Sequence, residues 1–581
     1  MKDALKPAAK AIKPIEPKRF APRAEHAVLA LAFASFFGLA MARWLGFNNQ
    51  TFDLAFYGRM AWGMVRLDFW DPILNAHQAG LHLSPVLVPV GLLGLIVGTV
   101  PALLLTQSLA CVLGAHRLGV LGARLLGERG WWIGALAFLL HPNLGHVATY
   151  EAHPGTLAVL PLAWAIERLD ARSAKGFAWA CVGVLACRED LGLVTALLGV
   201  LAWRSGMARV GRAVVIGSLA YVALFVVWLH PWLAPHAGSF EAHFGPWGDG
   251  FGAMVASFFT DPLRLLAHLF EPSRALYLVL VLAPFVMLPL AAPRWLVPTL
   301  PIFGMNLLSH FPTTSQIDSH YLTPALPFLV AATLSALSKI ERRAQVEVAV
   351  AVALVLTSLA FGVRPRAHLA SGPTQDASER IVAAIPADAS VQAPDAMLAH
   401  LAEREHVYRA PPPDRNADWV VLDLRHRLRY RHREDLLRTE EEPLARTWMA
   451  RRDYGVVRYD PPWALLRRGA DPRAGLEPTE ASAEPIRLCA CVSVAGVERL
   501  DPERVALVLV AHQRCPNDLA LRIGDHVELL FDGAVSPAHL RAGDVVRSVH
   551  HHPPGELRIA ALRSSGAPPA PDDLPVELGS R

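Results

Sequence analysis

The sequence predicts a mainly α-helical protein that crosses a membrane many times and ends in a water-soluble region with α/β and β-rich parts. Hydrophobic residues make up 53% of the 581 residues and charged residues only 18%, a composition unusual for a soluble protein. Long apolar runs fill residues 27 to 363, and Pro-, Arg- and Asp-rich sequence follows. The net charge is only +4 and no basic stretch is interleaved with aromatic residues, so we expect no nucleic-acid partner.

The N-terminus begins with a basic tail and continues into the first apolar run. Residues 1 to 26 place lysines and arginines among alanines and prolines, without an apolar face, and are predicted to be disordered. The run from about residue 27 to residue 46 is long enough to cross a hydrocarbon core of about 30 Å. A cleaved signal peptide is the alternative, but small residues would then follow, whereas Arg43 and Trp44 are present. We therefore predict a retained span with a cytoplasmic N-terminus.

We predict a transmembrane bundle of about eleven spans within residues 27 to 365. Several of its apolar runs are shorter than a full crossing, so some are tilted, re-entrant or half-buried, and the number stays open by one or two. Arginines and lysines cluster near the ends of runs and indicate which linkers are cytoplasmic. The remaining linkers form the exoplasmic set, at 47 to 85, 142 to 154, 188 to 190, 234 to 274 and 310 to 320.

The region after the bundle is predicted to be soluble and exoplasmic. We divide it into an α/β part at 366 to 470 and a β-rich part at 471 to 581, because alternating strands resume only after a Gly-, Pro- and Glu-rich stretch. Cys489 and Cys491 would lie on one face of a strand, so either can pair with Cys515 in an oxidising compartment. Free buried thiols are equally compatible with the sequence.

The predicted exoplasmic linkers share an unusual set of ionisable residues. Such groups are costly at membrane depth and are therefore functional-site candidates. Each one alone is more often a solvated loop group or a helix cap, and the stronger indication is that all lie on one predicted face. They are Asp53, Arg59, Asp68, Asp71, His77, His82, His141, His146, Glu151, His153, Arg188, Glu189, Asp190, Asp318 and His320.

Two of these positions point to particular chemistry. Arg188, Glu189 and Asp190 interrupt an apolar stretch, either as an internal ion pair or with the arginine meeting a phosphate. Asp53 closely follows the first span, where a carboxylate can serve as general base toward a hydroxyl. The stretch 54 to 65 after it is amphipathic and is predicted to lie along the membrane interface.

A divalent metal is the other possibility for this set. The histidines have no HxxxH spacing, and their irregular positions do not define a site. Mg²⁺ or Mn²⁺ remains open as a cofactor, with Asp53, Glu151 and His153 as its ligands.

Five segments resemble, in order, motifs of a bacterial membrane family known as domain of unknown function 2079. They are FDLAFYGRMAW at 52 to 62, HLSPVLVPVGLL at 82 to 93, YEAHPGTLAV at 150 to 159, CREDLGLVTALLG at 187 to 199 and SHYLTPALPFLVAA at 319 to 332. The resemblance covers residues 27 to 460. That family is itself similar to the GT-C superfamily, polytopic glycosyltransferases that take a sugar from a polyprenyl-phosphate carrier on the exoplasmic face.

The resemblance implies a GT-C-like fold in the bacterial inner membrane, with the C-terminal region in the periplasm. It implies catalytic roles for Asp53, as base or metal ligand, and for Glu151. Arg188 takes the part of the residue that meets the lipid phosphate. The other substrate-binding positions implied are Arg59, His82, His153, Glu189, Asp190 and His320. Many GT-C enzymes carry paired acids in the first loop, whereas Asp53 stands beside Leu54, so metal dependence stays open.

The sequence therefore favours an inverting transfer of a sugar from polyprenyl phosphate to a glycan, lipid or protein acceptor. A transporter or flippase is the first alternative, because the same charges would line a substrate path. Internal inverted repeats would favour a transporter, and the sequence has none that we recognise. A non-catalytic membrane assembly factor with a partner-binding tail is the second alternative.

Overall fold

The computed structural model describes most of the chain, and the predicted tail lies almost wholly outside the part described. The described residues are 22–49, 51–234, 243–365, 369, 374–410, 415–423, 448–460, 462–474, 476–482, 484–501, 504–516, 519–523, 526–529, 535–551 and 559–563.

The fold is mostly helical, with its longer strands confined to the C-terminal third. The α-helices are Pro22–Leu45, Asp53–Met64, Gln78–Leu81, Leu87–Val97, Thr99–Leu126, Gly130–Leu139, Pro142–Thr149, Pro154–Leu157, Val159–Asp170, Ala174–Leu185, Leu191–Arg204, Ala208–Ala223, His230–Leu233, Gly250–Thr260, Pro262–Leu269, Pro272–Leu282, Leu300–Leu308, Leu326–Leu337, Arg343–Phe361, Gln375–Ala383 and Asp395–Leu401. A π-helical segment, Leu224–Leu229, continues the helix before it.

Five helices within the described ranges are long and apolar enough to cross a membrane. They are Ala24–Leu45, Thr99–Leu126, Ala208–Leu233, His320–Leu337 and Arg343–Phe361. A sixth crossing is possible if Pro262–Leu269 and Pro272–Phe285, bent by 52° at their junction, form one broken span. Several apolar spans are therefore present, although fewer than the eleven predicted meet this length.

Prolines explain why part of the predicted bundle does not form straight helices. The apolar stretch from 275 to 309 contains four 3₁₀ turns, Ala283–Phe285, Leu288–Ala291, Pro293–Trp295 and Val297–Thr299. Each turn contains a proline, which lacks the N–H that an α-helix needs and clashes with the preceding turn. The run at 275 to 309 therefore folds as a helix, a series of turns and a second helix.

Internal contacts divide the chain into two compact units. The first comprises Met1–Ala40, Ala79–Val86 and Leu104–Arg364, and the second comprises Met41–Gln78, Leu87–Leu103 and Pro365–Arg581. In the first unit, every residue of helix Leu326–Leu337 is buried, and the helix packs against Gly130–Leu139 and Val159–Asp170. It is the centre of that helical core.

In the second unit, helix Asp53–Met64 packs against helices Leu87–Val97 and Asp395–Leu401. Gly91 permits the first contact, because a Cβ atom there would lie 2.2 Å from the carbonyl oxygen of Ala61. The prediction that this helix lies along the membrane interface is wrong, since nine of its twelve residues are buried in protein contacts. Its apolar positions face neighbouring helices on more than one side.

The C-terminal strands form three sheets, all in the second unit. A mixed five-stranded sheet has the order Val407–Arg409, Val391–Ala393, Trp419–Asp423, Trp463–Arg468, Tyr454–Asp460, with its first three strands parallel. An antiparallel sheet has the order Glu477–Pro478, Val545–His551, Arg504–Ala511, Val492–Asp501, Ile486–Arg487, and a third has the order His526–Leu529, Leu519–Ile523, Ile559–Arg563. Strands Trp70–Asp71 and Ala76–His77 form a separate hairpin.

The sequence left the pairing of the C-terminal cysteines open. Cys491 and Cys515 form a disulfide, while Cys489 is a buried thiol outside this bond, with its Sγ 3.4 Å from that of Cys491. One of the two pairings considered is therefore present.

Candidate functional site

The charged triplet lies where the sequence predicts a break between apolar helices. Helix Ala174–Leu185 ends shortly before it, and helix Leu191–Arg204 begins directly after it. The guanidinium of Arg188 donates through Nη2 to Oδ2 of Asp190, at 2.8 Å. Both side chains are mostly buried, with exposed fractions of 14% and 27%. This ion pair fits the structural interpretation of the triplet, and it leaves the phosphate interpretation open.

Glu189 points away from this pair and joins the triplet to a distant loop. Its Oε1 lies 2.9 Å from Nδ1 of His82, and its Oε2 accepts the backbone N–H of Leu83 at 3.0 Å. Both carboxylate oxygens are therefore occupied by residues more than 100 positions earlier in the chain. The fold therefore brings His82 and Glu189 into contact, and their role in binding substrate stays a prediction.

Two predicted histidines stack beside the triplet. The rings of His153 and His320 have centroids 3.7 Å apart and planes 14° apart. Nδ1 of His153 lies 3.0 Å from the carbonyl oxygen of Glu151, and its backbone N–H donates to Oε1 of Gln107 at 3.1 Å. Glu151 itself is completely buried. Its segment therefore positions the histidine pair within the helical core.

A cavity of about 40 Å³ opens between these groups. Arg188, Asp190 and His320 lie on its polar side together with Asn306 and Tyr321, two residues that the sequence analysis did not single out. The remaining lining is largely apolar, from Gly155, Leu191, Val194, Pro301, Ile302, Met305 and Pro324. The available signal for Asn306 was an asparagine within the apolar stretch from 275 to 309, since a polar residue at membrane depth is costly.

Asp53 belongs to the second unit and starts helix Asp53–Met64. Oδ2 of Asp53 accepts a hydrogen bond from Oγ1 of Thr51 at 2.9 Å, and its side chain is half-buried. A carboxylate at a helix N-terminus is stabilised by the helix dipole. The position therefore suits an ionised carboxylate.

Arg59 lies on the same helix at the centre of a closed polar cluster. It is 1% exposed, pairs with Asp68, and donates through Nη2 to the carbonyl oxygen of Glu405 at 3.5 Å. Its Nε and Nη1 have no partner among the described residues. The role of Arg59 in contacting substrate stays a prediction from the sequence.

Asp71 and Gln78 extend this cluster and are completely buried. Oδ1 of Asp71 accepts the backbone N–H of Leu74 at 2.7 Å, whereas Oδ2 of Asp71 and both amide atoms of Gln78 have no partner within the described ranges. Burial raises the pKa of Asp71 to about 7, against the opposing charge of Arg59. This carboxyl group is therefore partly protonated near neutral pH.

A metal centre would need several ligands close together. Across the described residues, no group of three or more His, Cys, Asp or Glu side chains is arranged to hold a metal ion. The ligand set Asp53, Glu151 and His153, with Mg²⁺ or Mn²⁺, stays a prediction from the sequence.

The helical fold, its apolar spans and its C-terminal sheets define a membrane protein with an extramembrane region. The chain belongs to the family described as "Predicted membrane protein (DUF2079)", which matches residues 43–458. No curated protein matches the sequence.

Solved structures that are similar to the chain include the following two. ArnT from Cupriavidus metallidurans, bound to undecaprenyl phosphate, has a TM-score of 0.47 and 12% identity, covering 77% of this chain and 98% of that one. The oligosaccharyltransferase AglB from Archaeoglobus fulgidus, in complex with an inhibitory peptide and a dolichol-phosphate, has a TM-score of 0.39 and 11% identity, covering 76% of this chain and 73% of that one.

Proposed function

We propose that the protein transfers a sugar from a polyprenyl-phosphate carrier to an acceptor on the exoplasmic face of the bacterial inner membrane. The observation that carries the proposal is the cavity at Arg188, where a guanidinium stands at the polar side of a largely apolar lining. A polyprenyl phosphate is complementary to this lining, because it carries an anionic head on an apolar chain. The donor class itself comes from the resemblance of the sequence motifs to a membrane family that is in turn similar to GT-C enzymes.

The leaving group explains why an arginine suits this position. When the bond between the sugar C1 and the phosphate oxygen breaks, negative charge grows on the lipid phosphate. A guanidinium offers several N–H donors in a rigid fork that matches phosphate oxygens. Arg188 stabilises that growing charge, and Asp190 holds the arginine side chain in place through the bond already formed.

Asp53 supplies the base in this proposal. As the acceptor oxygen forms its bond to C1, Asp53 takes the hydroxyl proton, and the polyprenyl phosphate departs with the electron pair of the broken bond. Attack from the face opposite the leaving group inverts the anomeric centre. The support for Asp53 is its place in the first predicted exoplasmic loop and its half-buried carboxylate at a helix start.

We also propose a membrane topology for the chain. About eleven crossings place residues 366 to 470 and 471 to 581 in the periplasm and the N-terminus in the cytoplasm. Four shorter apolar helices, Leu87–Val97, Gly130–Leu139, Ala174–Leu185 and Leu191–Arg204, supply candidates for the crossings beyond the five long helices. The acceptor is a glycan, a lipid or a protein exposed on that face.

The test uses cells whose envelope glycans and glycolipids are profiled by mass spectrometry. Asp53→Asn should lower the product by about 10²- to 10⁴-fold, the usual contribution of a positioned base. Asp261→Asn is the matched control, because Asp261 also begins a helix, where its side chain accepts the N–H of Arg264 at 3.1 Å. An unchanged profile for an Asp53→Asn protein that is present in the membrane would exclude this role.

A further inference from the structure

A second and larger cavity, of about 780 Å³, lies at the ends of two candidate spans in the first unit. Helix Thr99–Leu126 ends at its edge, and helix Arg343–Phe361 begins at its edge. In the proposed topology both helices cross the hydrocarbon core, so their shared end lies at the boundary between membrane and water. The cavity therefore lies at the depth of lipid headgroups, and its volume is within the usual range for ligand pockets.

The lining of this cavity is charged, with equal numbers of arginines and glutamates. Arg343 is paired with Glu347, at 3.1 Å between Nε and Oε1. The other four charged side chains have no ion-pair or hydrogen-bond partner in the part of the chain that the structure describes. These four are Glu128, Arg129, Glu341 and Arg342. Two cations and two anions are thus available to a ligand in the same cavity.

We propose that this cavity binds an ethanolamine phosphate group, which carries one phosphate and one primary ammonium. Arg129 and Arg342 bind the phosphate, and Glu128 and Glu341 accept N–H bonds from the ammonium. A purely anionic headgroup would meet both carboxylates without a compensating charge. A choline headgroup has the two charges, but its methylated nitrogen donates no hydrogen bond.

Two sources carry this group, a phosphatidylethanolamine lipid and free phosphoethanolamine. The place of the cavity at the ends of the spans favours the lipid, whose acyl chains can remain in the hydrocarbon layer. Neither compound is the proposed sugar donor. The cavity proposed here therefore binds a different ligand from the cavity at Arg188.

The experiment is native mass spectrometry of the full-length protein in detergent, with phosphatidylethanolamine, phosphatidylglycerol and phosphatidylcholine of identical acyl chains. Free phosphoethanolamine is added in a separate arm. We expect phosphatidylethanolamine to bind about tenfold more tightly than either other lipid, the difference expected for one charge-assisted contact. Binding of free phosphoethanolamine alone would identify the soluble compound as the source.

Two double variants test the assignment of each charge. Arg129→Gln with Arg342→Gln should weaken binding of the phosphate group by about tenfold or more. Glu128→Gln with Glu341→Gln should instead remove the preference over phosphatidylglycerol while keeping lipid binding, a result that misfolding does not produce. Arg209→Gln is the matched control, because Arg209 is an exposed arginine at a helix start outside this cavity.

The proposal is supported by a preference for the ethanolamine group that the glutamate double variant abolishes and the control keeps, together with weaker binding in the arginine double variant. Equal binding of the three lipids without binding of free phosphoethanolamine overturns it, and so does a preference that neither double variant changes.

Discussion

Arg188 and Arg59 are both buried arginines near predicted exoplasmic loops, yet their surroundings differ. The guanidinium of Arg188 pairs with Asp190 and borders a cavity. That of Arg59 pairs with Asp68 inside a closed cluster, where two of its nitrogen atoms have no partner among the described residues. The guanidinium of Arg188 therefore borders open space, whereas that of Arg59 is almost completely buried.

The difference separates a binding group from a structural one. A buried polar atom without a partner costs free energy, and such atoms in proteins usually contact an ordered water. The five unpartnered atoms of Arg59, Asp71 and Gln78 therefore fit a hydrated internal cluster that holds the first loop together. Substitutions at Arg59 should act mainly on stability, and substitutions at Arg188 mainly on ligand binding.

The largest expected effect on stability is that of Arg59→Met. Removing one member of a buried ion pair leaves Asp68 and Asp71 without their cation and costs about 3–5 kcal/mol. The measurement is the apparent melting temperature of the purified protein in detergent. Arg188→Met is the matched variant and should cost less, about 1–3 kcal/mol, because the mostly buried Asp190 borders the cavity, where water can reach its carboxylate. Equal losses in the two variants would contradict the distinction.

Asp71→Asn should change the free energy of unfolding, relative to the wild-type protein, by about 2–4 kcal/mol in a pH-dependent way. Burial raises the pKa of Asp71 to about 7, whereas an unfolded aspartate ionises near pH 4, so between these values the folded chain holds the extra proton. The protonated group therefore stabilises the fold fully below about pH 4, and this contribution is lost as the pH rises through 7.

The asparagine stays neutral at every pH and can still accept the N–H of Leu74. The variant should therefore melt higher than the wild-type protein at pH 8 and about equally at pH 4. Melting curves across this range measure the difference. A variant that follows the wild-type pH profile would show that Asp71 is ionised in the fold.

Of the substitutions at Arg59, Asp71 and Glu189, Glu189→Ala should change the free energy of unfolding least, lowering it by about 1–3 kcal/mol. It leaves the N–H of Leu83 and the ring of His82 without their shared acceptor. Glu189→Gln keeps one oxygen acceptor and should recover part of the loss. Hydrogen exchange at residues 79 to 86 would locate the effect, and unchanged protection in Glu189→Ala would mean that this contact does not hold the loop.

The sequence predicted features that depend on local chemistry. Apolar length and arginine placement identified spans such as Ala24–Leu45 and Arg343–Phe361, and three adjacent charges identified the break before Leu191. These signals arise because the hydrocarbon core penalises charge and requires a minimum helix length.

Features that depend on distant contacts were beyond the sequence. Nothing in the sequence around Glu189 indicates His82 as its partner, and the stacking of His153 on His320 joins residues from separate motifs. Helix Asp53–Met64 was predicted to lie in the interface because its own pattern is amphipathic, whereas its burial depends on helices Leu87–Val97 and Asp395–Leu401. Tertiary packing decided these outcomes.

The most direct test of the central claim is binding of undecaprenyl phosphate to the purified protein, measured by native mass spectrometry. Arg188→Ala should weaken binding by about 30-fold or more, since removing a cation that is hydrogen-bonded to a phosphate costs about 2–5 kcal/mol. Arg124→Ala is the control, because Arg124 also pairs with an aspartate, Asp170, but does not line the cavity. Loss of binding in Arg188→Ala alone is the predicted result, and equal binding by both variants and the wild-type protein would contradict the account.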